Sequence, residues 1–299
     1  MKNLAWRLEA ALLSAALLLL RALGPVRASD LGAAVARGIG PLLPVSRVAH
    51  DNLTRAMPHL RAAERRAVVR AVWDNLGRTV AELPHLPALR ETASGPGWEL
   101  AGVEHVVALV EGGGPVILFS AHLGNWEVLP RAAQARGLPI GLFYRAATNP
   151  LVDAMLRRLR GQGLAASPSF PKGAEGARGA LRHLREGGAL GALIDQKMND
   201  GIEARFFGLP AMTAPAVAAL ALRFGCRPVP VQVQRLGPAR LRVVCEAPLP
   251  VPATGDRQAD IASLTQVMND RVEAWIRARP GEWLWLHRRW PKPGAPRSE

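Results

Sequence analysis

A histidine and an acid five positions apart, His122 and Glu127, are the residues of this 299-residue chain whose types and placement best suit proton transfer. An imidazole held at one ring nitrogen by a carboxylate keeps the other nitrogen free to take a proton. On a continuous helix, residues five apart are rotated by roughly 140° at ~100° per residue, so the two can meet only if a turn separates them. Spacing alone does not select this pair. With seven His and 24 acids, a His-x4-acid match is expected about 0.6 times by chance. A second match, His59 with Glu64, lies in an Arg-rich segment that reads as a helix start and its solvated face.

What selects His122 is the element that must deliver it. Residues 116–119 are apolar without alternation, begin with β-branched Val116 and Ile117, and follow the breakers Gly112, Gly113, Gly114 and Pro115. That pattern predicts a short strand covered on both faces. Open α/β sheets place their chemistry at the C-terminal ends of such strands. His122 stands at that end, Gly124 permits a tight turn, and Asn125 suits the N-cap of a helix with Glu127 in its first turn. Pro130 is tolerated near the start of that helix. Residues 138–143 read as the next strand, joined by a right-handed βαβ crossover and ending in Tyr144 and Arg145. Arg145 then arrives at the edge that carries His122, either as a ligand-binding group or as a surface residue. A third apolar strand, 189–194, ends in Asp195 and Gln196, so three strands converge on one crevice. Asp195 either shapes an acceptor pocket or caps the next turn.

The remaining elements form the frame. Helical patterns cover 47–83, broken at Pro58, then 104–111, and 149–159 with Asn149 as cap and Arg157, Arg158 and Arg160 at its basic end. In a helix over 174–186, Arg178, Arg182 and Arg185 share a face. Residues 167–172 and 205–210 read as loops; in the second, the adjacent Phe206 and Phe207 line an acyl tunnel, dip into lipid or cover the core. A helix over 213–224 capped by Thr213, a hairpin of 228–234 with 240–245, and a last helix over 260–278 follow. The tail sets Trp283, Trp285 and Trp290 beside His287, Arg288 and Arg289, as core packing with a basic rim or as a belt at lipid headgroups. The fold class is α/β, a mostly parallel or mixed central sheet flanked by helices.

A net charge of +14 calls for an anionic partner or surface. One Tyr, six Phe and no nucleic-acid-reading motif argue against a base-stacking platform, and so against nucleic acid as the partner. Phosphorylated lipid headgroups and an acidic carrier protein fit the charge. Cys226 and Cys245 are too few for a disulfide framework and read as reduced core residues. His and Cys form no metal-spaced cluster, so no metal is expected. At the N-terminus the sixteen residues 8–23 are largely apolar with basic residues at either end. They would span about 24 Å against a hydrocarbon core of ~30 Å, marginal for crossing. The readings are a membrane-associating helix with Trp6 at headgroup depth, a signal peptide cleaved after Val26, Arg27 and Ala28, or a core helix. Taken as an anchor, residues 1–28 precede one domain over 29–299.

The stretch from Ser120 through His122, Leu123, Gly124, Asn125 and Trp126 to Glu127, with Phe143 to Arg145, Gly176 to Arg178, Asp195-Gln196, Phe206 to Gly208 and Trp285 to Arg289, resembles the lauroyl/myristoyl late acyltransferases of lipid A biosynthesis. These belong to the lysophospholipid acyltransferase superfamily with its His-x4-Asp/Glu motif, here HX4E. The resemblance runs in order from about Arg47 to Pro293. It implies a transferase at the cytoplasmic face of the inner membrane, with acyl carrier protein thioester as donor, a Kdo-bearing lipid A precursor as acceptor, and no cofactor. His122 would be the general base, and Glu127 would orient its ring. Oxyanion donors would come from the turn after the strand. Arg145, Arg178, Asp195, Gln196, Phe206 and Phe207 would contact substrate. Other enzyme readings are acyl-CoA-dependent acylation of another glycolipid or lysophospholipid, and a thioesterase or lipid hydrolase using the same dyad. A serine hydrolase would show a Gly-x-Ser-x-Gly elbow, which this sequence lacks. A non-catalytic membrane-surface protein would leave the placement of His122 and Glu127 to coincidence.

Overall fold

Residues 116–120 do form a strand with every side chain buried. The rest of the chain is arranged to cover it. A computed structural model describes residues 2–291 apart from 145, 162, 163, 165, 166 and 172. In chain order these form α1 (Lys2–Leu23), α2 (Pro25–Ile39), α3 (Ser46–Ala56), α4 (Ala62–Glu82), β1 (Gly97–Ala101), α5 (Glu104–Glu111), β2 (Val116–Ser120), α6 (Leu129–Ala135), β3 (Ile140–Tyr144), α7 (Pro150–Gly161), β4 (Ser169–Pro171), α8 (Ala174–Arg185), β5 (Ala189–Leu193), β6 (Ile202–Phe206), β7 (Leu209–Thr213), α9 (Ala216–Phe224), β8 (Val229–Gly237), β9 (Arg240–Cys245) and α10 (Arg257–Ala278).

Among the described residues a seven-stranded sheet runs in the order β1-β9-β8-β2-β5-β3-β4. Its pairings are parallel except for the β8–β9 hairpin, so the fold is α/β with a mixed, mostly parallel sheet. Strand β2 lies at its centre. Ile117 and Phe119 join an apolar cluster with α9, α10 and the C-terminal tryptophans, while Val116 and Leu118 join a second with α5, α6 and Trp98. The two alternate sets of β2 side chains thus meet two cores, which is why the sequence shows no polar alternation there.

Several expectations are corrected. The β2–α6–β3 unit read from the sequence spans one strand position, because β5 pairs with both strands and lies between them. Residues 205–210 are not a loop but the tip of the β6–β7 hairpin, with Phe207 (φ 54) and Gly208 (φ 72) making its two-residue turn. Residues 169–171, read as loop, form the edge strand β4. Thr213 closes β7, and α9 starts at Ala216 with Pro215 as cap.

The N-terminal helix is longer than its apolar run suggested. It spans Lys2–Leu23, and its Asn3–Leu23 segment is long and apolar enough to cross a membrane, with none of that apolar window buried. The expected boundary after residue 28, and the alternative cleavage site there, fall inside α2. That helix docks on α4 so closely that a Cβ added at Gly32 would lie 2.3 Å from the Gly77 carbonyl oxygen.

Candidate active site

Strand register brings the chemistry together. In the parallel β2–β5 pair Ser120 lies opposite Leu193, and the Ile194 amide donates to the Ser120 carbonyl at 3.0 Å. Two residues further along both chains, His122 faces Asp195. His122 Nδ1 lies 2.8 Å from Asp195 Oδ1, the His122 amide donates to Oδ2 at 3.0 Å, and Trp283 Nε1 donates to Oδ2 at 2.7 Å. Burial alone would push the Asp195 carboxyl upward, but the neighbouring His122 and the hydrogen bonds from His122 and Trp283 outweigh it and hold it at about 2. For His122, burial works against the charged form, yet the carboxylates of Asp195 and, more weakly, Glu127 leave it above its ordinary value. In the neutral form with Nδ1–H donating to Asp195, His122 presents Nε2 as a lone pair, toward which the Gln196 amide nitrogen points at 3.3 Å.

The turn that carries His122 is fixed by backbone. Gly124 has φ 58, and a Cβ there would meet the Val233 carbonyl oxygen at 2.5 Å, so both conformation and space require glycine. The Leu123 amide donates to Ala121 at 2.7 Å, the Gly124 amide to Glu282 at 3.1 Å, and the Leu284 amide to the His122 carbonyl at 3.1 Å. The amides of residues 122–124 are therefore already engaged, so the oxyanion donors expected of this turn are not these three. As expected, Asn125 caps the next element, its Oδ1 accepting from the Glu127 amide at 3.2 Å. Its Nδ2 donates at 2.7 Å to Glu82, a carboxylate with no solvent exposure. Glu82 also receives Ser29 Oγ at 2.7 Å, the Ala239 amide at 2.9 Å and Arg235 NH1 at 2.6 Å. A buried charge is tenable there because it is paired and fully hydrogen-bonded.

Glu127 is placed differently from the sequence expectation. Its carboxylate accepts from Arg160 Nε at 2.9 Å and NH2 at 2.5 Å, a bidentate pair at the C-terminal end of α7, and the ring partner at His122 Nδ1 is Asp195. The reason is local. Residues 126–128 form a 3-10 turn that carries Glu127 toward α7, whereas sheet register delivers Asp195 to the imidazole. Glu127 retains an electrostatic influence on His122. Trp126 meets the His122 ring edge-on at 5.1 Å, and His287 stands 6.2 Å away, centroid to centroid.

Of the other predicted site residues, Arg145 lies outside the described residues. Arg178 is exposed on α8, and the described contacts do not join it to His122. Phe206 and Phe207 are buried, packed on each other and on the Trp tail, with Phe206 5.8 Å from Trp283 and from Trp290. These two rings cover the core beneath the site, one of the three readings open to them, and are shielded from solvent. The same holds for the tail. Trp283, Trp285 and Trp290 are buried, and Arg289 lies over the Phe206 ring at 4.8 Å while donating to the Met212 carbonyl and Thr213 Oγ1 at 2.9 and 2.7 Å. Burial lowers the Arg289 guanidinium to about 10.

Sequence reasoning missed the roles of Trp283, Arg160 and Glu82. The first had a visible signal in its Trp-rich tail, the second in its basic helix end, and the third none within its helical pattern. Both cysteines are unpaired, and burial pushes the Cys245 thiol up to about 11. Among the described residues no group of three His, Cys, Asp or Glu side chains converges to hold a metal ion.

The sequence profile of the family described as bacterial lipid A biosynthesis acyltransferase matches residues 6–292, nearly the whole chain. No curated protein matches the chain in a sequence search.

Proposed function

Because the chain belongs to the bacterial lipid A biosynthesis acyltransferase family, we propose that it moves a fatty acyl chain from an acyl carrier protein thioester onto a hydroxyl of a Kdo-bearing lipid A precursor, at the cytoplasmic face of the inner membrane. Acyl transfer in lipid A synthesis is the family's activity; donor, acceptor, face and mechanism are our reading. The observation that carries the mechanism is the His122–Asp195–Trp283 chain of hydrogen bonds, which holds an imidazole by Nδ1 and leaves Nε2 to the substrate.

His122 Nε2 takes the proton of the acceptor hydroxyl as its oxygen attacks the thioester carbonyl. The tetrahedral adduct collapses with cleavage of the C–S bond, and the departing thiolate takes the proton back from Nε2. Asp195 keeps the ring oriented and stabilises the imidazolium between these steps, with no covalent enzyme intermediate. Glu127 adds negative charge and grips Arg160, and that guanidinium is our assignment for the charge developing on the carbonyl oxygen. Gln196 leaves Nε2 when the hydroxyl arrives. Arg145 and Arg178 remain proposed contacts for the anionic headgroup, on the family resemblance. Phe206 and Phe207 support the site from beneath.

The test is acyl transfer by the detergent-solubilised full chain, given acyl carrier protein thioester and a tetraacylated, Kdo-bearing lipid A precursor. Acylated lipid is the expected product. Release of free fatty acid alone, with this and other lipid acceptors, would establish a hydrolase instead, and equal use of an acyl-CoA donor would remove the carrier-protein assignment.

A further inference from the structure

Helix α2 has two unlike faces. One is locked onto the body: Ala28, Ser29 and Ala33 are fully buried, and Gly32 crosses Gly77 of α4 at backbone contact. The other presents Leu31, Val35 and Ile39, spaced by four and therefore on one stripe, and leads into Leu42 and Leu43 of the following turn. Val35 is 51 %, Ile39 56 % and Leu42 82 % exposed. Large apolar side chains this exposed in successive turns mark a surface meant to be covered.

Two observations name the cover. The stripe continues from α1, which adds exposed Leu8, Leu12 and Leu19 and meets α2 at Gly24, φ 75. Exposed Arg27 and Arg47 bracket the stripe at either end, as cations do on a helix lying against anionic headgroups.

We propose that α2 and the turn at Leu42 and Leu43 lie in the headgroup–acyl boundary of the bilayer, so that the enzyme docks by two elements, the exposed apolar faces of α1 and α2. This rests on the membrane reading of α1. The second element has a consequence for catalysis. Helix α1 is held on the body as well, Asn149 Nδ2 donating to the Trp6 carbonyl at 3.0 Å and to Glu9 at 2.9 Å, and α2 is locked onto α4. On its inner face Ser29 donates to Glu82, which in turn holds Asn125 of the His122 turn. A docked α2 therefore sets the height and tilt of the active site above the lipid.

The test places an environment-sensitive fluorophore on single cysteines, Leu12→Cys, Ile39→Cys, Leu42→Cys or Asp270→Cys, in the full chain with Cys226 and Cys245 changed to Ala. The protein is reconstituted in phosphatidylethanolamine/phosphatidylglycerol vesicles with and without doxyl-labelled lipid. Labels at positions 12, 39 and 42 should be quenched by the doxyl lipid, and the label at 270, on the exposed face of α10, should not. Quenching at 12 without quenching at 39 and 42 overturns the proposal, whether those labels remain in water or are covered by protein. Loss of quenching at 12 as well overturns the membrane reading beneath it, and neither result depends on activity. A second readout uses Ile39→Glu/Leu42→Glu, two exposed positions. Transfer to a vesicle-borne acceptor should fall about tenfold or more with transfer in detergent micelles unchanged; equal rates in both overturn the proposal.

Discussion

At the scale of single residues, the proposed proton transfer depends on which carboxylate serves His122. Asp195 is buried, held at about 2, and bonded to the ring at 2.8 Å, so it remains an anion over the working pH range. The base must be neutral to act, so kcat/KM should rise with pH through the His122 pKa, which its carboxylate neighbours place above the ordinary value. Asp195→Asn removes the main contribution that raises this pKa. The acid limb should therefore move to lower pH while the plateau falls by roughly 10²- to 10⁴-fold. An unmoved limb with an unmoved plateau would assign ring orientation elsewhere. His122, Asp195 and Gln196 were each legible as polar residues closing apolar strands. Their pairing was not, because it depends on the Ser120–Leu193 register, and a lone sequence does not state register. Spacing favoured Glu127 instead, and a 3-10 turn with a basic partner on α7 took that side chain away.

At the scale of elements, strand β2, the caps at Asn125 and Asn149 and the β8–β9 hairpin could be read from runs and punctuation. Their order in the sheet could not, since β5 inserts between β2 and β3 through contacts remote in sequence. The β6–β7 hairpin was hidden because Phe207 takes a positive φ more usual for Gly or Asn, which leaves Gly208 as the only local sign of the turn. The polar floor under the catalytic turn was equally hidden. Glu82 looks like one more acid in a helix, yet it joins α2, α4, the hairpin and Asn125 through hydrogen bonds of 2.6–2.9 Å. Glu82→Gln removes a fully buried carboxylate and leaves the half-buried Arg235 without its counter-charge, and should cost about 3–5 kcal/mol. Chemical denaturation would measure it, and a loss below about 1 kcal/mol, the range of a surface pair, would contradict the role given to this hub.

At the scale of the whole molecule, a charge of +14 and an apolar N-terminal helix are the features from which the proposed docking to anionic partners at a lipid surface is drawn. If the donor is an acidic carrier protein, its KM should climb with ionic strength as the Debye length shrinks from about 10 Å at 0.1 M, while kcat holds. A short pantetheine thioester should show no such dependence, and a salt-insensitive KM for the carrier protein would contradict charge-steered docking. The most direct test of the central claim is the transfer rate of His122→Ala beside wild type under saturating acyl carrier protein thioester and lipid A precursor. General-base catalysis by His122 predicts a loss of roughly 10²- to 10⁴-fold with donor binding intact. A variant that makes product at the wild-type rate would show that His122 is not the base.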